Sequence, residues 1–270
     1  MLFKKIFVYV LAAIITIGAA IYQRKTGPTY PKEVDIQLSE QNYTVELPRS
    51  HGGKTDCPVL IPIDDPLVKG SIYFRRYPTQ EEWRRIPLEQ YKEGLRAFLP
   101  HQPPAGKLEY YLELKTPNQR ATFLASNPIR IRFKGDVPMG ILIPHVILIF
   151  LAMYFSTAAG IFALFGMRIQ RSMAFTALAF LFVGGMIFGP IMQHYAFGEF
   201  WTGVPFGWDL TDNKTLIAFI GWIIAVAFNW KRQAPKATIA AALLLMLIFS
   251  IPHSVMGSER NPETGEIVTG

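Results

Sequence analysis

Five stretches of this 270-residue chain contain no Asp, Glu, Lys or Arg, and they constrain the fold more than any other feature. A helix that crosses a bilayer needs about 20 predominantly apolar residues, with about 17 as the lower limit. Three stretches reach that length, and the other two have 16 residues each, so their helices must continue a turn into the flanks. We therefore predict an α-helical polytopic membrane protein with about five spanning helices. The stretches are 6–22, 139–166, 173–193, 215–230 and 237–252.

Basic residues in the short connections predict the orientation. Neither 167–172 nor 229–236 contains an acidic residue, and short loops rich in Lys and Arg remain in the cytoplasm. The N-terminus is basic too; Arg24 and Lys25 balance it beyond the first stretch, but the two connections outweigh that tie. The N-terminus and the two connections together carry seven basic residues, which equals the whole formal net charge of +7. Membrane topology therefore accounts for the positive charge, and no nucleic-acid partner is needed to explain it. The seven basic residues are Lys4, Lys5, Arg168, Arg171, Lys231, Arg232 and Lys236.

This topology divides the chain into four parts. Residues 1–22 form an N-terminal membrane anchor that begins in the cytoplasm, and residues 23–138 form an extracytoplasmic domain. Residues 139–252 form a four-helix membrane domain, and the tail 253–270 lies outside. The predicted location is the cell membrane, as a bacterial inner-membrane protein with a periplasmic domain. A cleaved signal peptide is the alternative for the first part, but the stretch is long for one and no clean A-x-A site follows it.

Residues 33–134 differ in pattern from the rest of the chain. Short runs such as VDIQL, YTVEL and LEYYLELK alternate apolar and polar residues, and turn-forming stretches such as PIDDP separate them. Alternation of period two means that one face of each strand is buried. We therefore predict an all-β domain, an antiparallel β-sandwich. The single cysteine, Cys57, excludes an internal disulfide and is expected to be a small core residue rather than a nucleophile.

A more specific pattern covers residues 70–116. The segment GSIYFRRYPTQEEWRRIPL precedes GLRAFLPHQPPAGKLEYYLELKTP, so a strand with Tyr and Arg leads through a Trp to a strand that closes on LPHQP. This pattern resembles the immunoglobulin-like (Ig-like) or fibronectin-type modules of bacterial surface proteins. The resemblance implies a binding or spacing module without catalytic residues. We expect Trp83 and Tyr110 to lie in its core.

Three histidines in the membrane half are predicted to lie at the same depth. His145 is about one and a half turns into the second apolar stretch, His194 ends the third, and His253 ends the fifth. With the topology above, all three reach the outer leaflet. A histidine within a span is costly in hydrocarbon, and neutral imidazole binds metals and haem iron. These side chains are therefore candidate ligands; the alternative is hydrogen bonding at the wet interface or, for His145, to a polar partner in the bundle.

The segment 194–214, which we call the aromatic loop, carries two tryptophans, three phenylalanines and three glycines. Trp and Tyr concentrate at membrane interfaces, which by itself accounts for these rings. The loop also resembles the tryptophan-rich haem-handling loop of the cytochrome c assembly membrane proteins. That resemblance implies haem b as the cofactor, with His194 and His253 as axial ligands and an aromatic platform with its acid formed by Phe200, Trp201, Trp208 and Asp209. Independently, Asp209 or Asp212 is expected to cap the following helix.

The sequence contains no CxxC, HExxH, GxSxG or phosphate-binding glycine loop. We therefore expect a non-enzymatic accessory or assembly protein that docks a protein partner on the outer side through its Ig-like domain and aromatic loop. The alternative is a haem- or metal-handling membrane protein with outer-leaflet histidines as ligands. A transporter is disfavoured, because the apolar stretches carry no charge and show no internal repeat.

Overall fold

A computed structural model describes residues 2–38, 41–92, 94–252 and 257–268. The chain divides into two compact units. The helical unit comprises Met1–Pro28 and Val137–Gly257, and the β unit comprises Thr29–Asp136 and Ser258–Val268. The protein is therefore a mixed helix and sheet protein in which the chain leaves the β unit, forms most of the helical unit, and returns to the β unit near its C-terminus.

Four helices in the described part of the chain are long and apolar enough to cross a membrane. They are α1 (Leu2–Thr26), α2 (Met139–Leu164), the continuous helix Gln170–Phe197, and α5 (Leu210–Asn229). The helix Gln170–Phe197 consists of α3 (Gln170–Leu181), a π-helix (Phe182–Phe188) and α4 (Gly189–Phe197). The fifth predicted span corresponds to α6 (Pro235–Ser250), which has 16 residues and is shorter than the other four.

Small residues allow the helices to approach closely. A Cβ atom at Gly160 of α2 would lie 2.7 Å from the Ala242 Cβ of α6. A Cβ atom at Gly184 of the π-helix would lie 2.8 Å from the Leu148 Cβ of α2. Alanine dominates the surrounding core, and Trp222 of α5 is its largest fully buried side chain. Association of helices in lipid depends on such close packing, because burial of apolar surface provides little driving force there.

The two ends of the helical unit differ in charge. Near one end, the first turns of α1 pack against residues around the α2–α3 connection, and the Tyr9 hydroxyl donates to Met173 Sδ at 3.9 Å. At the opposite end, the Gln23 amide donates to the Phe249 carbonyl at 2.7 Å. The described helices therefore gather Lys4, Lys5 and the two basic connections at the first end. The acidic residues of this unit, Glu199, Asp209 and Asp212, belong to the segment that joins α4 to α5 at the second end.

The β unit contains one large and three small sheets. The strands are β1 (Lys32–Leu38), β2 (Gln41–Leu47), β3 (Ser50–Gly52), β4 (Cys57–Ile61), β5 (Lys69–Tyr77), β6 (Arg84–Pro87), β7 (Glu89–Gln90), β8 (Leu95–Leu99), β9 (Lys107–Lys115), β10 (Arg120–Phe123), β11 (Ile129–Lys134), β12 (Glu259–Arg260) and β13 (Ile267–Val268). In the six-stranded sheet the order is β3-β11-β9-β5-β6, with β10 also paired to β9, and a three-stranded sheet has the order β4-β8-β7. Two hairpins, β1-β2 and β12-β13, form the remaining sheets. All neighbours are antiparallel except β3 and β11, which are parallel.

One hydrophobic core receives alternate residues from the β1-β2 hairpin and from both larger sheets. Cys57 is part of this core, as predicted, and burial raises the pKa of its thiol to about 11. Tyr110 also lies in the core, where its hydroxyl donates to the Pro48 carbonyl at 2.9 Å. The prediction is wrong for Trp83, which is only half-buried: its ring packs edge-on against Tyr111, and the Arg75 guanidinium lies 4.4 Å from the ring centroid.

Residues Ser258–Val268 form part of the β unit rather than a separate tail. The Arg260 backbone N–H donates to the Ala105 carbonyl at 3.1 Å, and the buried Arg132 guanidinium donates to the Ser258 carbonyl. The Lys107 ammonium forms an ion pair with Glu259. We call this segment the C-terminal hairpin; its partners lie in β5, in β9, in β11 and in the turn that precedes β9.

Candidate functional site

The aromatic loop contains a connection, residues 198–209, between the end of α4 and the start of α5. Gly198 ends α4 with a left-handed conformation, φ 96°, and its N–H donates to the His194 carbonyl at 2.8 Å. Glycine adopts this conformation without steric cost and is common at helix C-termini. The chain therefore turns sharply away from α4 before the aromatic residues begin.

A single buried carboxylate fixes the connection to α5. Asp212 Oδ2 accepts hydrogen bonds from the backbone N–H groups of Thr202 at 2.6 Å and Gly203 at 3.1 Å. The Thr202 hydroxyl at 3.2 Å and the Gln193 amide at 3.0 Å complete a set of four donors. At Gly203 a Cβ atom would lie 2.7 Å from the Asp212 Cβ, so this backbone approach requires glycine. Hydrogen bonds to an ionised acceptor are about twice as strong as neutral ones, and the backbone of this connection is accordingly well anchored.

Two further polar side chains organise the start of α5. Asp209, one of the two expected caps, is the N-cap, and its carboxylate accepts from the Thr211 N–H at 2.8 Å. The helix begins at Leu210, five residues before the fourth apolar stretch begins at residue 215. Asn213 Oδ1 accepts from the Val204 N–H at 2.7 Å, which ties the middle of the connection to the same helix. The first turn of α5 therefore serves as the scaffold for the whole connection.

Lys214 joins the start of α5 to α6. We use the name polar cluster for this set of side chains: Gln193, Thr202, Asp209, Asp212, Asn213 and Lys214. Its side chain is buried, and its ammonium group donates to the carbonyls of Ile251 at 2.6 Å and Pro252 at 3.4 Å. These carbonyls follow the last turn of α6, where helix carbonyls lack partners and carry partial negative charge. Lys214 thus caps α6 from α5.

Several aromatic rings of the loop remain exposed although its backbone is anchored. Phe206 is 80% exposed, Trp208 is 74% exposed and Phe200 is 54% exposed. Trp201 is half-buried and donates its indole N–H to the Val204 carbonyl at 3.1 Å, so it stabilises the connection from within. Large exposed apolar rings on a well-anchored segment are typical of a surface that contacts lipid or a protein partner.

His194 lies at the edge of this surface. Its ring stacks on the Phe200 ring with a centroid distance of 4.1 Å and an interplanar angle of 3°. Its Nδ1–H donates to the Gly198 carbonyl at 3.0 Å, which fixes the tautomer. Nε2 has no hydrogen-bond partner among the described residues and stays available to a ligand or to water.

His145 has a comparable arrangement deeper in the helical unit. Its Nδ1–H donates to the Gly184 carbonyl at 2.9 Å, and Gly184 belongs to the π-helix. The π-helix ends two residues before Pro190, whose missing N–H and bulky ring disturb regular α-helical hydrogen bonding. His145 therefore has a backbone partner in the bundle, which is the polar partner that the sequence analysis gave as the alternative to ligation.

His253 lies outside the described residues, so the structure gives no position for it. Of the other predicted site residues, His194, Trp201 and Asp209 meet in the aromatic loop together with the exposed Trp208. Each of the first three has a local role there, in stacking, loop closure and helix capping respectively. No group of three or more His, Cys, Asp or Glu side chains that could hold a metal ion occurs among the described residues.

Sequence reasoning missed three residues of the polar cluster, Gln193, Asp212 in its anchoring role, and Lys214. The fourth apolar stretch begins at residue 215, so Asp212 and Lys214 lie just before it in the sequence. The signal was available: an aspartate and a lysine within the first turns of an apolar helix are costly unless they have buried partners.

Comparisons with protein-family models, with curated proteins and with solved structures find no match to this chain.

Proposed function

We propose that the protein is a non-enzymatic accessory or assembly protein of a membrane complex, which docks a protein partner outside through its β unit and its aromatic loop. The observation that carries this proposal is the exposure of Phe206 and Trp208 on a backbone anchored by Asp212. Rigid, exposed aromatic side chains lose little conformational entropy on binding and dominate the energetics of protein interfaces.

The proposal includes five spanning helices. The chain leaves the β unit at Asp136 and re-enters it at Ser258. Both ends of the helical passage must then lie on the same side of the membrane, which requires an even number of crossings. The helices α2, Gln170–Phe197 and α5 provide three crossings, so α6 must provide a fourth, and α1 is the fifth span. Local thinning of the bilayer accommodates a span as short as α6 at modest cost.

The orientation follows from the distribution of charge. The end of the helical unit that carries Lys4, Lys5 and the two basic connections contains no acidic residue in the sequence, so it faces the cytoplasm. The β unit then lies outside, as a periplasmic domain of a bacterial inner-membrane protein. Its strand order, with two larger sheets that share one core, supports an Ig-like sandwich that acts as a binding module.

The experiment is site-specific photocrosslinking in intact membranes. A photoreactive amino acid replaces Trp208 or, as a control at the opposite end of the helical unit, the similarly exposed Trp230. We expect one discrete protein adduct at Trp208 that is absent at Trp230 and is lost when Phe206→Ser is added. Adducts with lipid alone at Trp208 would show that the loop only rests on the bilayer and would refute the docking function.

A second candidate function is haem or metal handling, and one observation favours it. Both His145 and His194 donate Nδ1–H to a backbone carbonyl, at 2.9 and 3.0 Å. Histidines that bind metals are usually held in this way, with Nε2 directed at the metal. His194 and His253 would be the axial ligands of haem b, which would supply one-electron redox chemistry when bound.

Absorption spectra test the second candidate. The detergent-purified protein is measured oxidised and reduced, with and without added haem, and compared with His194→Ala and His253→Ala. A Soret band with a reducible α-band that both substitutions abolish would establish haem binding. The absence of a band at saturating haem would exclude it.

A further inference from the structure

The two basic connections meet at one end of the helical unit. The Arg171 guanidinium of the first donates to the Trp230 carbonyl of the second, and the Gln233 amide donates back to the Arg168 carbonyl at 3.4 Å. The buried Gln170 amide, at the start of α3, donates to Asn229 Oδ1 at 2.9 Å and to Gln233 Oε1 at 2.6 Å. These bonds bring five cationic side chains to neighbouring positions, namely Arg168, Arg171, Lys231, Arg232 and Lys236.

No acidic side chain compensates these charges within the part of the chain that the structure describes. The four ion pairs found among the described residues, Arg75–Glu109, Arg76–Glu81, Lys107–Glu259 and Arg120–Glu113, all belong to the β unit. The acids of the helical unit lie in the segment between α4 and α5, at the opposite end. Cations this numerous that face a membrane surface attract anions from it.

An open pocket lies beside these cations. It has a volume of about 600 Å³ and is lined by Ala227, Phe228, Trp230, Lys231 and Arg232. Phe228 and Trp230 are exposed, at 55% and 62%, so the pocket combines an apolar wall with the cationic groups of Lys231 and Arg232. Trp230 also packs against the Phe175 ring of α3 at 5.7 Å, which fixes the indole next to the first connection. We call this site the basic pocket.

We propose that the basic pocket binds an anionic phospholipid, with its phosphate at Lys231 and Arg232 and the start of an acyl chain along Phe228. The charge of the pocket is complementary to an anionic headgroup, and Trp230 has the amphipathic character of residues at this depth of a bilayer. A soluble anion would satisfy the cations but would leave the apolar wall without a partner. The inference presupposes the membrane insertion proposed above and does not depend on the docking function.

Native mass spectrometry and thermal unfolding of the full chain in non-ionic detergent test the proposal. We expect phosphatidylglycerol to bind and to raise Tm, whereas phosphatidylcholine does neither. A cation near an anionic lipid contributes about fivefold in affinity, so the double variant Lys231→Gln/Arg232→Gln should bind phosphatidylglycerol about 25-fold more weakly. The matched control is Arg24→Gln/Lys25→Gln, which removes two exposed cations from the end of α1 and should change the affinity less than about twofold.

Further measurements distinguish a phospholipid from free phosphate, and failure of the basic-pocket proposal from failure of membrane insertion. Equal stabilisation by inorganic phosphate, or equal binding of phosphatidylcholine by the wild type, would overturn the proposal, and the wild-type comparison remains decisive even where the double variant does not fold. Trp230→Ala should weaken lipid binding without a change in charge. Extraction of the protein from membranes by alkaline carbonate would refute membrane insertion itself, whereas retention without a preference for phosphatidylglycerol would refute only the basic pocket.

Discussion

Replacement of Asp212 by alanine should release the aromatic loop from α5. Asp212 Oδ2 accepts four hydrogen bonds, and two of the donors are the backbone N–H groups of Thr202 and Gly203. The Gln193 amide still donates to the Thr202 hydroxyl at 2.7 Å, and both side chains can rotate toward other partners, whereas the two backbone N–H groups cannot. The cost is therefore set by the two backbone groups, which lose their acceptor in a buried position.

A buried donor without a partner costs about 1–3 kcal/mol, so Asp212→Ala should lower the free energy of unfolding by about 2–6 kcal/mol. Asp212→Asn keeps one oxygen acceptor and loses the negative charge; since charge-assisted bonds are about twice as strong as neutral ones, about half of that loss is expected. The matched control is Glu199→Ala, which removes an exposed carboxylate from the same loop and should change stability by no more than about 0.5 kcal/mol.

Hydrogen exchange measured by mass spectrometry reports the effect locally. In Asp212→Ala, exchange should accelerate at the Thr202 and Gly203 amides while the amides in the middle of α5 keep their protection. Unfolding in detergent gives the total change in free energy. If Asp212→Ala is as stable as Glu199→Ala and exchange of the loop amides is unchanged, the carboxylate does not anchor the loop and the reasoning is wrong.

Three further predictions concern the β unit and the helix packing. The pKa of Cys57 is raised from 9.0 to about 11. At pH 9 the thiol is therefore about half ionised in the unfolded chain but only about 1% ionised in the folded protein. Alkylation should stay slow until denaturant is added, and the contribution of this group to stability should fall as pH rises from 9 to 11. Burial lowers the pKa of Lys107, and the ion pair with Glu259 partly restores it. Glu259→Gln should therefore destabilise the protein by about 1 kcal/mol at pH 7, and this loss should shrink as pH rises through the lowered pKa toward 10.5. An equal loss of stability at every pH would contradict a role for the ion pair. Gly160→Ala should destabilise the helical unit by about 1–3 kcal/mol through overpacking, whereas Gly140→Ala, with no atom within 4 Å of the added Cβ, should not; equal effects in thermal unfolding would exclude close packing at Gly160.

Periodicity and charge predicted the outlines of both units, because hydrophobic patterns depend on residues that are near in sequence. The alternation in 33–134 gave the strands, and the apolar stretches gave the helices. The core position of Tyr110 followed from the strand pattern, whereas Trp83 packs on the other face with Tyr111 and Arg75. That contact depends on cross-strand neighbours, which a single strand does not specify.

The polar cluster at the aromatic loop depended on contacts that the pattern does not contain. Helix capping by Asp209 is local and was predicted, since it requires only the following residues. The contacts of Asp212 with Thr202 and of Lys214 with Ile251 depend on how α4, α5 and α6 pack. A charged residue near the end of an apolar stretch is predicted to belong to a loop unless its buried partner is known. For this reason the predicted stretch begins at residue 215, whereas α5 begins at Leu210.

The C-terminal hairpin also has a consequence for the order of biosynthesis. The residues that accept hydrogen bonds from Arg132 and pair with Lys107 are translated after α6, whereas the rest of the β unit is translated before α2. Domains generally fold as their residues emerge during synthesis, but this unit lacks its last strands until every helix has been synthesised. Complete protection of β9 and β11 in a protease assay of nascent chains would therefore report that synthesis of the whole helical unit has finished.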